Sequence, residues 1–369
     1  MLPKKPTRII YLLFVLFLIA SCGNENSISE TELNPITPIP IKKAAPQGDR
    51  LLALDVNDLE GTTYDELISI ARENGVQVIP LAIFWDDIEQ TPGVYTPDPN
   101  WLATANQYYS ANDLQVALTL SVIDTVSLRV PHDLQNLAFD DPQMIRRFNA
   151  FLDYVATQIP DLYLTSLTIG NEIDYFLGNN QQAWTAYETF YQETGHHARE
   201  VFSDVPVGTK TTVGSLTAEK ATYVQSINQY SDVILLTYYP LDDRFAVQSP
   251  GSVHDDFARV VKAYPAKDIY LMEVGYPSGE KNNSSHEKQA AFIHELFLAW
   301  DEYAERIKFI SYTWMNDPSD VVLRNMEKYY GSSDAGFISC LATLGLRTNQ
   351  GEDKTAFRQW QKEAAIRGW

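Results

Sequence analysis

Two glutamates stand where apolar stretches of the chain come to an end. Glu172 closes the run Thr168-Ile169-Gly170-Asn171-Glu172, and Glu273 follows Leu271-Met272 and precedes Val274-Gly275-Tyr276-Pro277. A carboxylate at the end of an otherwise apolar strand is costly to bury without a partner or a task. Glycoside hydrolysis supplies such a task for a pair. One carboxylic acid protonates the departing glycosidic oxygen, while a second carboxylate attacks the anomeric carbon or activates water there. Glu172 and Glu273 are far apart in the chain, so only folding can bring them together.

Aromatic residues cluster at comparable positions: Trp85 after Phe84, Tyr175 just beyond Glu172, Tyr238-Tyr239-Pro240, and Trp314 in Tyr312-Thr313-Trp314-Met315-Asn316. Their faces can stack on sugar rings, and packing at a rim or in a core is the alternative. Asp55, Asp86 and Asp124 can contact sugar hydroxyls or cap loops and helices. His196-His197, and His254 with Asp255 and Asp256, fall on predicted helices away from these ends. Adjacent histidines on a helix point to different faces, so no metal site is expected there, and the chemistry requires no cofactor.

What must position these residues is an alternation of short β-prone runs with longer segments of helical period, the pattern of βα units around a parallel sheet. Strands are predicted over 51–56, 76–84, 115–122, 164–170, 205–213, 233–238, 269–273 and 307–314, and helices over 63–73, 142–159, 184–202 and 285–306. Eight strands close a (β/α)8 TIM barrel, a single catalytic domain over residues 50–369, with the active site at the carboxyl ends of the strands. A doubly wound open sheet would need a Gly-rich phosphate loop after the first strand, where the chain reads Asp55-Val56-Asn57-Asp58.

These strand ends resemble clan A of the glycoside hydrolases, whose acid/base glutamate follows an asparagine on strand four and whose nucleophile ends strand seven. Asn171-Glu172 matches the first and Glu273 the second. Glu273-Val274-Gly275-Tyr276-Pro277-Ser278 is similar to the nucleophile region of family 17 β-1,3-glucanases and family 53 galactanases, and Tyr238-Tyr239-Pro240 to strand six of the latter. Trp314 stands where the clan commonly has a tryptophan under the sugar being cleaved. Phe84 to Glu89 with Pro92-Gly93-Val94-Tyr95, and Gly345-Leu346-Arg347 with Lys354-Thr355-Ala356, extend the likeness from Leu51 to about Trp360.

The resemblance implies a retaining mechanism with the carboxyl groups about 5–5.5 Å apart, Glu172 as general acid and then base, and Glu273 as nucleophile. It implies further that Asn171 bonds the sugar 2-hydroxyl and that Tyr238 donates to Glu273. Many clan members carry an arginine at the end of strand two, where this chain reads Leu81-Ala82-Ile83-Phe84-Trp85-Asp86. Arg129 in the third loop supplies that charge, or no residue does.

The first residues have the form of an export signal: Lys4, Lys5 and Arg8, then an apolar stretch from Ile9 to Ile19 too short to span a membrane comfortably. Ile19-Ala20-Ser21-Cys22-Gly23 resembles the lipobox of bacterial lipoproteins, which implies a signal peptide over 1–21, lipidation of Cys22, and anchoring to the cell envelope, periplasmic or at the cell surface. Residues 22–49 read as a flexible tether. Cys340 is then the remaining cysteine and is expected to be a small buried hydrophobe. With 28 basic against 48 acidic residues, the formal charge of −20 argues against nucleic acid or anionic lipid as a partner and suits a neutral sugar polymer.

A monomeric, endo-acting hydrolase of β-1,3-glucan or β-1,4-galactan type, taking a polysaccharide or oligosaccharide, is the leading expectation. A transglycosylase using the same intermediate, and a non-catalytic lipid-anchored glycan-binding protein, are the alternatives.

Overall fold

The computed structural model describes residues 44–217 and 219–369; the expected signal segment, Cys22 and most of the tether lie outside the described residues. Ten strands form one sheet: β1 (Leu51–Leu54), β2 (Val78–Phe84), β3 (Gln115–Asp124), β4 (Ser127–Leu128), β5 (Leu164–Asn171), β6 (Val207–Gly208), β7 (Lys210–Thr212), β8 (Ile234–Tyr238), β9 (Ile269–Val274) and β10 (Ile307–Tyr312). They are bonded in the order β6-β5-β3-β2-β1-β10-β9-β8-β7, with β4 a short antiparallel return on β3.

β6 and β7 are successive pieces of one stretch interrupted at Thr209. β6 pairs with β5 and β7 with β8, all in parallel, so the path comes back on itself. The result is the eight-position TIM barrel expected from the alternation, its fifth strand broken into two. Where that break falls matters for the site.

Local signals account for the helices around the barrel. Thr63 and Glu66 form a reciprocal capping box at the start of the helix Tyr64–Glu73. Asp141 caps Pro142–Gln158, Asn180 caps Gln181–Val201, and Ser285 caps His286–Glu302. Each such cap satisfies backbone donors that the first helical turn leaves free and stabilises by about 1 kcal/mol.

Alternation along the strands divides the core in two. Ala53, Val78, Ala117, Leu235, Met272 and Phe309 fill the barrel floor. Their neighbours Leu52, Leu54, Val116, Leu118, Leu236 and Leu271 face the helices. Each large apolar side chain buried this way contributes about 1.5–3 kcal/mol. Cys340 is a free, buried thiol, as expected.

Beneath the floor, residues 45–50 are clamped to the helices that carry Trp300 and Arg367. The Arg50 guanidinium lies 4.9 Å from the Trp300 ring centroid and 5.1 Å from that of Trp369, and pairs with Asp301 at 2.9 Å. Gln47 donates its backbone N–H to the Arg367 carbonyl at 2.8 Å, and Ala45 donates to Asp301 at 3.1 Å. At the opposite end, two helices inserted after β10, Asp320–Tyr330 and Ala335–Ala342, pack over the mouth. Met326, Phe337, Cys340 and Leu341 form a small second core with Trp314 and Leu241.

Candidate active site

β5 ends in a turn that its sequence is built for. Gly170 has φ of 80°, and a Cβ there would lie 2.3 Å from the Tyr187 hydroxyl and 2.7 Å from Ile173, so only glycine fits. Glu172 itself adopts the left-handed region, with φ 44° and ψ 46°. Strain of that kind in a residue with a side chain persists only where surrounding structure imposes it. Its carboxylate accepts from the Thr237 hydroxyl of β8 at 2.6 Å and from the Thr125 hydroxyl at 3.1 Å.

Glu273 reaches the mouth by a different device. Met272 fills the barrel floor, so strict alternation would turn Glu273 outward. The pairing of β9 with β8 slips at this point, Leu236 facing Leu271 but Thr237 facing Glu273, and the extra residue re-aims the side chain. Lys210 of β7, just past the break at Thr209, donates from Nζ to Glu273 Oε1 at 2.6 Å. The Tyr239 hydroxyl donates to Glu273 Oε2 at 3.4 Å. Glu172 is 1 % exposed, and Glu273 and Lys210 are each 2 % exposed.

Burial raises the pKa of both glutamates by disfavouring the charged form. At Glu172 the negative charge of Glu273 adds to the burial and the Thr237 hydrogen bond opposes it only in part, so its pKa is pushed well above the usual carboxylate range. At Glu273 the Lys210 cation opposes the burial directly. The Lys210 cation thus favours the charged form of Glu273 more than that of Glu172.

Further groups converge on the same mouth. Asn171 donates to Asp124 at 2.7 Å, and Asp124 also accepts from the Tyr329 hydroxyl of the inserted helix. Burial raises the pKa of Asp124 against these two bonds. Asp55, at the end of β1, is raised to about 7 by burial and by Glu273, against a hydrogen bond from Trp314. Beside Glu172 opens a cavity of about 150 Å³, bounded by Tyr175, Thr212, Thr217, Tyr239, Gln248 and Arg259 among others. Of the residues singled out in the sequence, Glu172, Tyr175, Tyr238 and Tyr239 line this cavity, and Glu273, Asn171 and Trp314 join them through Tyr239, Asp124 and Asp55.

Three expectations are corrected. Tyr238 does not donate to Glu273: it donates to Asp256 at 2.6 Å, and both residues line the cavity beside Glu172. The donor to Glu273 is its neighbour Tyr239. Trp85 is fully buried rather than lining the cleft, its ring 5.1 Å from Phe148 and 6.0 Å from Phe151 and its N–H on Glu89 at 2.7 Å. Arg129 pairs with Asp86 at 2.9 Å and Asp87 at 3.4 Å, over the Phe84 ring, and leaves Glu273 to Lys210.

Lys210, Thr125, Thr237, Tyr329 and Tyr330 were not anticipated. Lys210 alone carried a legible signal, a charge within a strand expected to be buried.

Comparison with solved structures follows this geometry. The barrel superimposes on an exo-β-1,4-mannosidase from Opitutaceae bacterium strain TAV5 with a TM-score of 0.65 at 17% identity, covering 86% of this chain and 59% of that one. It superimposes on GH5_18 from Streptomyces cattleya, in complex with Manb1-4GlcNAc, with a TM-score of 0.66 at 13% identity, covering 87% and 81%. Xylanase 10B from Thermotoga maritima gives 0.60 at 12% identity, covering 86% and 96%.

The fold is a TIM barrel, the one these glycoside hydrolases share. At these identities the likeness is one of fold, and this chain spans 59% of the length of the mannosidase. Neither a family model nor a curated protein sequence matches the chain.

Proposed function

We propose that the protein is a retaining β-glycoside hydrolase working by double displacement. The observation that carries this reading is the unequal partnering of two interacting, buried carboxylates: Glu273 has the Lys210 cation, and Glu172 has hydroxyls. Glu273 is thereby the ionised nucleophile. It attacks the anomeric carbon as the bond from that carbon to the glycosidic oxygen breaks, and Glu172 gives its proton to the departing oxygen. The glycosyl-enzyme that results no longer carries charge on Glu273, so the pKa of Glu172 falls and its carboxylate takes a proton from water. The water oxygen bonds the anomeric carbon, and Glu273 leaves as a carboxylate.

The strand-end resemblance supports β-1,3-glucan and β-1,4-galactan as substrates. The fold likeness to a β-1,4-mannosidase and to a xylanase adds β-1,4-mannosides and xylans to the panel. With a substrate found in that panel, Glu273→Gln abolishes turnover and Glu172→Gln lowers it by about 10²–10⁴. Proton NMR detects retained configuration in the first product. Unchanged turnover in either variant, or an inverted first product, refutes the proposal.

The lipobox resemblance of Ile19-Ala20-Ser21-Cys22-Gly23 supports a separate proposal, that the protein is an envelope lipoprotein acylated at Cys22; Cys22→Ser then moves it from the membrane to the soluble fraction.

A further inference from the structure

The walls of the cavity beside Glu172 come from the ends of successive barrel positions: Tyr175 after β5, Val213 and Thr217 after β7, and Tyr239 and Gln248 after β8. The helix that follows, Ser252–Ala263, adds Asp256 and Arg259. Glu172 and Asp256 are buried in the wall, whereas Thr217, Gln248 and Arg259 are exposed, so the cavity opens to solvent at their end. Its volume of about 150 Å³ is the share of about five water molecules, room for one sugar ring.

Asp256 and Arg259 form an ion pair within one turn of their helix. Arg259 donates from Nη2 to Asp256 Oδ1, and the Tyr238 hydroxyl donates to Oδ2 at 2.6 Å, so the carboxylate is fixed from both sides. Stability gives little reason for the arrangement. A pair whose arginine is mostly exposed contributes about 0–1 kcal/mol, while burying the aspartate has a desolvation cost. Recognition gives a better one. The opposite charges cancel, so the pair favours neither an anionic nor a cationic ligand. It sets donors and an acceptor side by side, the complement of adjacent hydroxyls on a neutral sugar, one accepting from the guanidinium and the next donating to the carboxylate.

On the function proposed above, Glu172 gives its proton to the departing oxygen, which then lies within hydrogen-bond reach of it. The attacking carboxylate and that oxygen stand on opposite sides of the anomeric carbon, so the departing sugar lies away from Glu273, on the side of Glu172. The cavity walled by Glu172 is a space in that position.

We infer that this cavity receives the sugar on the leaving side of the cleaved bond, and that Asp256, Arg259 and Gln248 select there a neutral sugar with adjacent free hydroxyls. This inference rests on the glycosidase reading.

The test measures kcat/KM of the purified protein on a β-linked disaccharide and on the para-nitrophenyl β-glycoside of the same sugar, whichever of mannose, glucose, galactose and xylose is cleaved. The two substrates share the sugar attacked by Glu273 and differ in the leaving group, nitrophenol having no adjacent hydroxyls. Arg259→Ala lowers the disaccharide value about ten- to hundredfold relative to the nitrophenyl value, the loss of a charged hydrogen bond, and Gln248→Ala lowers it about three- to tenfold. Urea unfolding first shows each variant folded at the assay temperature. Gln248→Ala, at an exposed position whose backbone bonds to Pro240 and Tyr276 remain, carries the test if Arg259→Ala does not fold. An unaltered ratio in every folded variant overturns the leaving-side inference and leaves the glycosidase reading standing. Absence of hydrolysis of every disaccharide and nitrophenyl glycoside by the unaltered protein overturns both.

Discussion

Lys210 is the group on which the division of labour between the glutamates depends, and Lys210→Met removes its charge while keeping most of its length. The ammonium lies 2.6 Å from Glu273 Oε1 with both side chains out of solvent. Two unit charges at that distance attract by about 6 kcal/mol at an effective dielectric of about 20. Desolvation of the two ions offsets much of this, and a neighbouring opposite charge typically lowers a carboxyl pKa by about 1–3 units, equivalent to roughly 1.4–4 kcal/mol.

Glu273 must be ionised to attack, so losing the cation raises its pKa and moves the acid limb of the kcat/KM profile up by about 1–3 pH units. Lys210 acts more weakly on Glu172, and the alkaline limb moves less, so the active window narrows. Initial rates across pH on the best oligosaccharide report this directly. Lys210→Arg, which keeps the charge, returns the limb to within about one unit of its original place. Breaking a buried pair also destabilises by about 3–5 kcal/mol, so urea unfolding must first show Lys210→Met folded at the assay temperature. An acid limb that stays in place while the rate drops uniformly at every pH refutes the reasoning and reduces Lys210 to a structural ion.

Other consequences are open to measurement. Asp55 has a folded pKa of about 7 against an ordinary 3.8, so the stability it contributes is present below its unfolded pKa and is lost as pH rises through about 7. Asp55→Asn accordingly raises the unfolding free energy measured in urea at alkaline pH, by on the order of 1–3 kcal/mol, and not in mild acid. Gly170→Ala, which meets the Tyr187 hydroxyl at 2.3 Å and holds a disfavoured φ, costs about 2–4 kcal/mol in denaturant and lowers kcat by displacing Glu172. Tyr239→Phe removes a donor from Glu273 and shifts the acid limb upward. Tyr238→Phe costs about 1–3 kcal/mol of stability at Asp256 and leaves the limb where it is.

The strand-end carboxylates were legible because burying a charge without purpose is expensive, and the eightfold alternation because period and length announce βα units. Side-chain direction at the strand ends follows from sequence only where a run ends in phase, and the phase changes at three places: the left-handed turn at Gly170 and Glu172, the slip beside Glu273, and the break at Thr209. Tyr238 and Tyr239 exchanged roles for want of one residue of register. Trp85 begins a short helix, Trp85–Ile88, that folds back under Pro142–Gln158, a packing set by residues distant in sequence. Tyr329 and Tyr330 belong to an insertion after the last strand, where no strand-end pattern could single them out.

The clamp formed by Arg50, Trp300, Asp301, Arg367 and Trp369 also sets which way the barrel faces. It lies at the amino-terminal face of the barrel strands, while Glu172 and Glu273 lie at the carboxyl-terminal face. Residues 45–50 are therefore held at the back of the barrel, away from the mouth. An attachment made through that face would hold the molecule like a cup on its base, the opening turned to the surrounding medium.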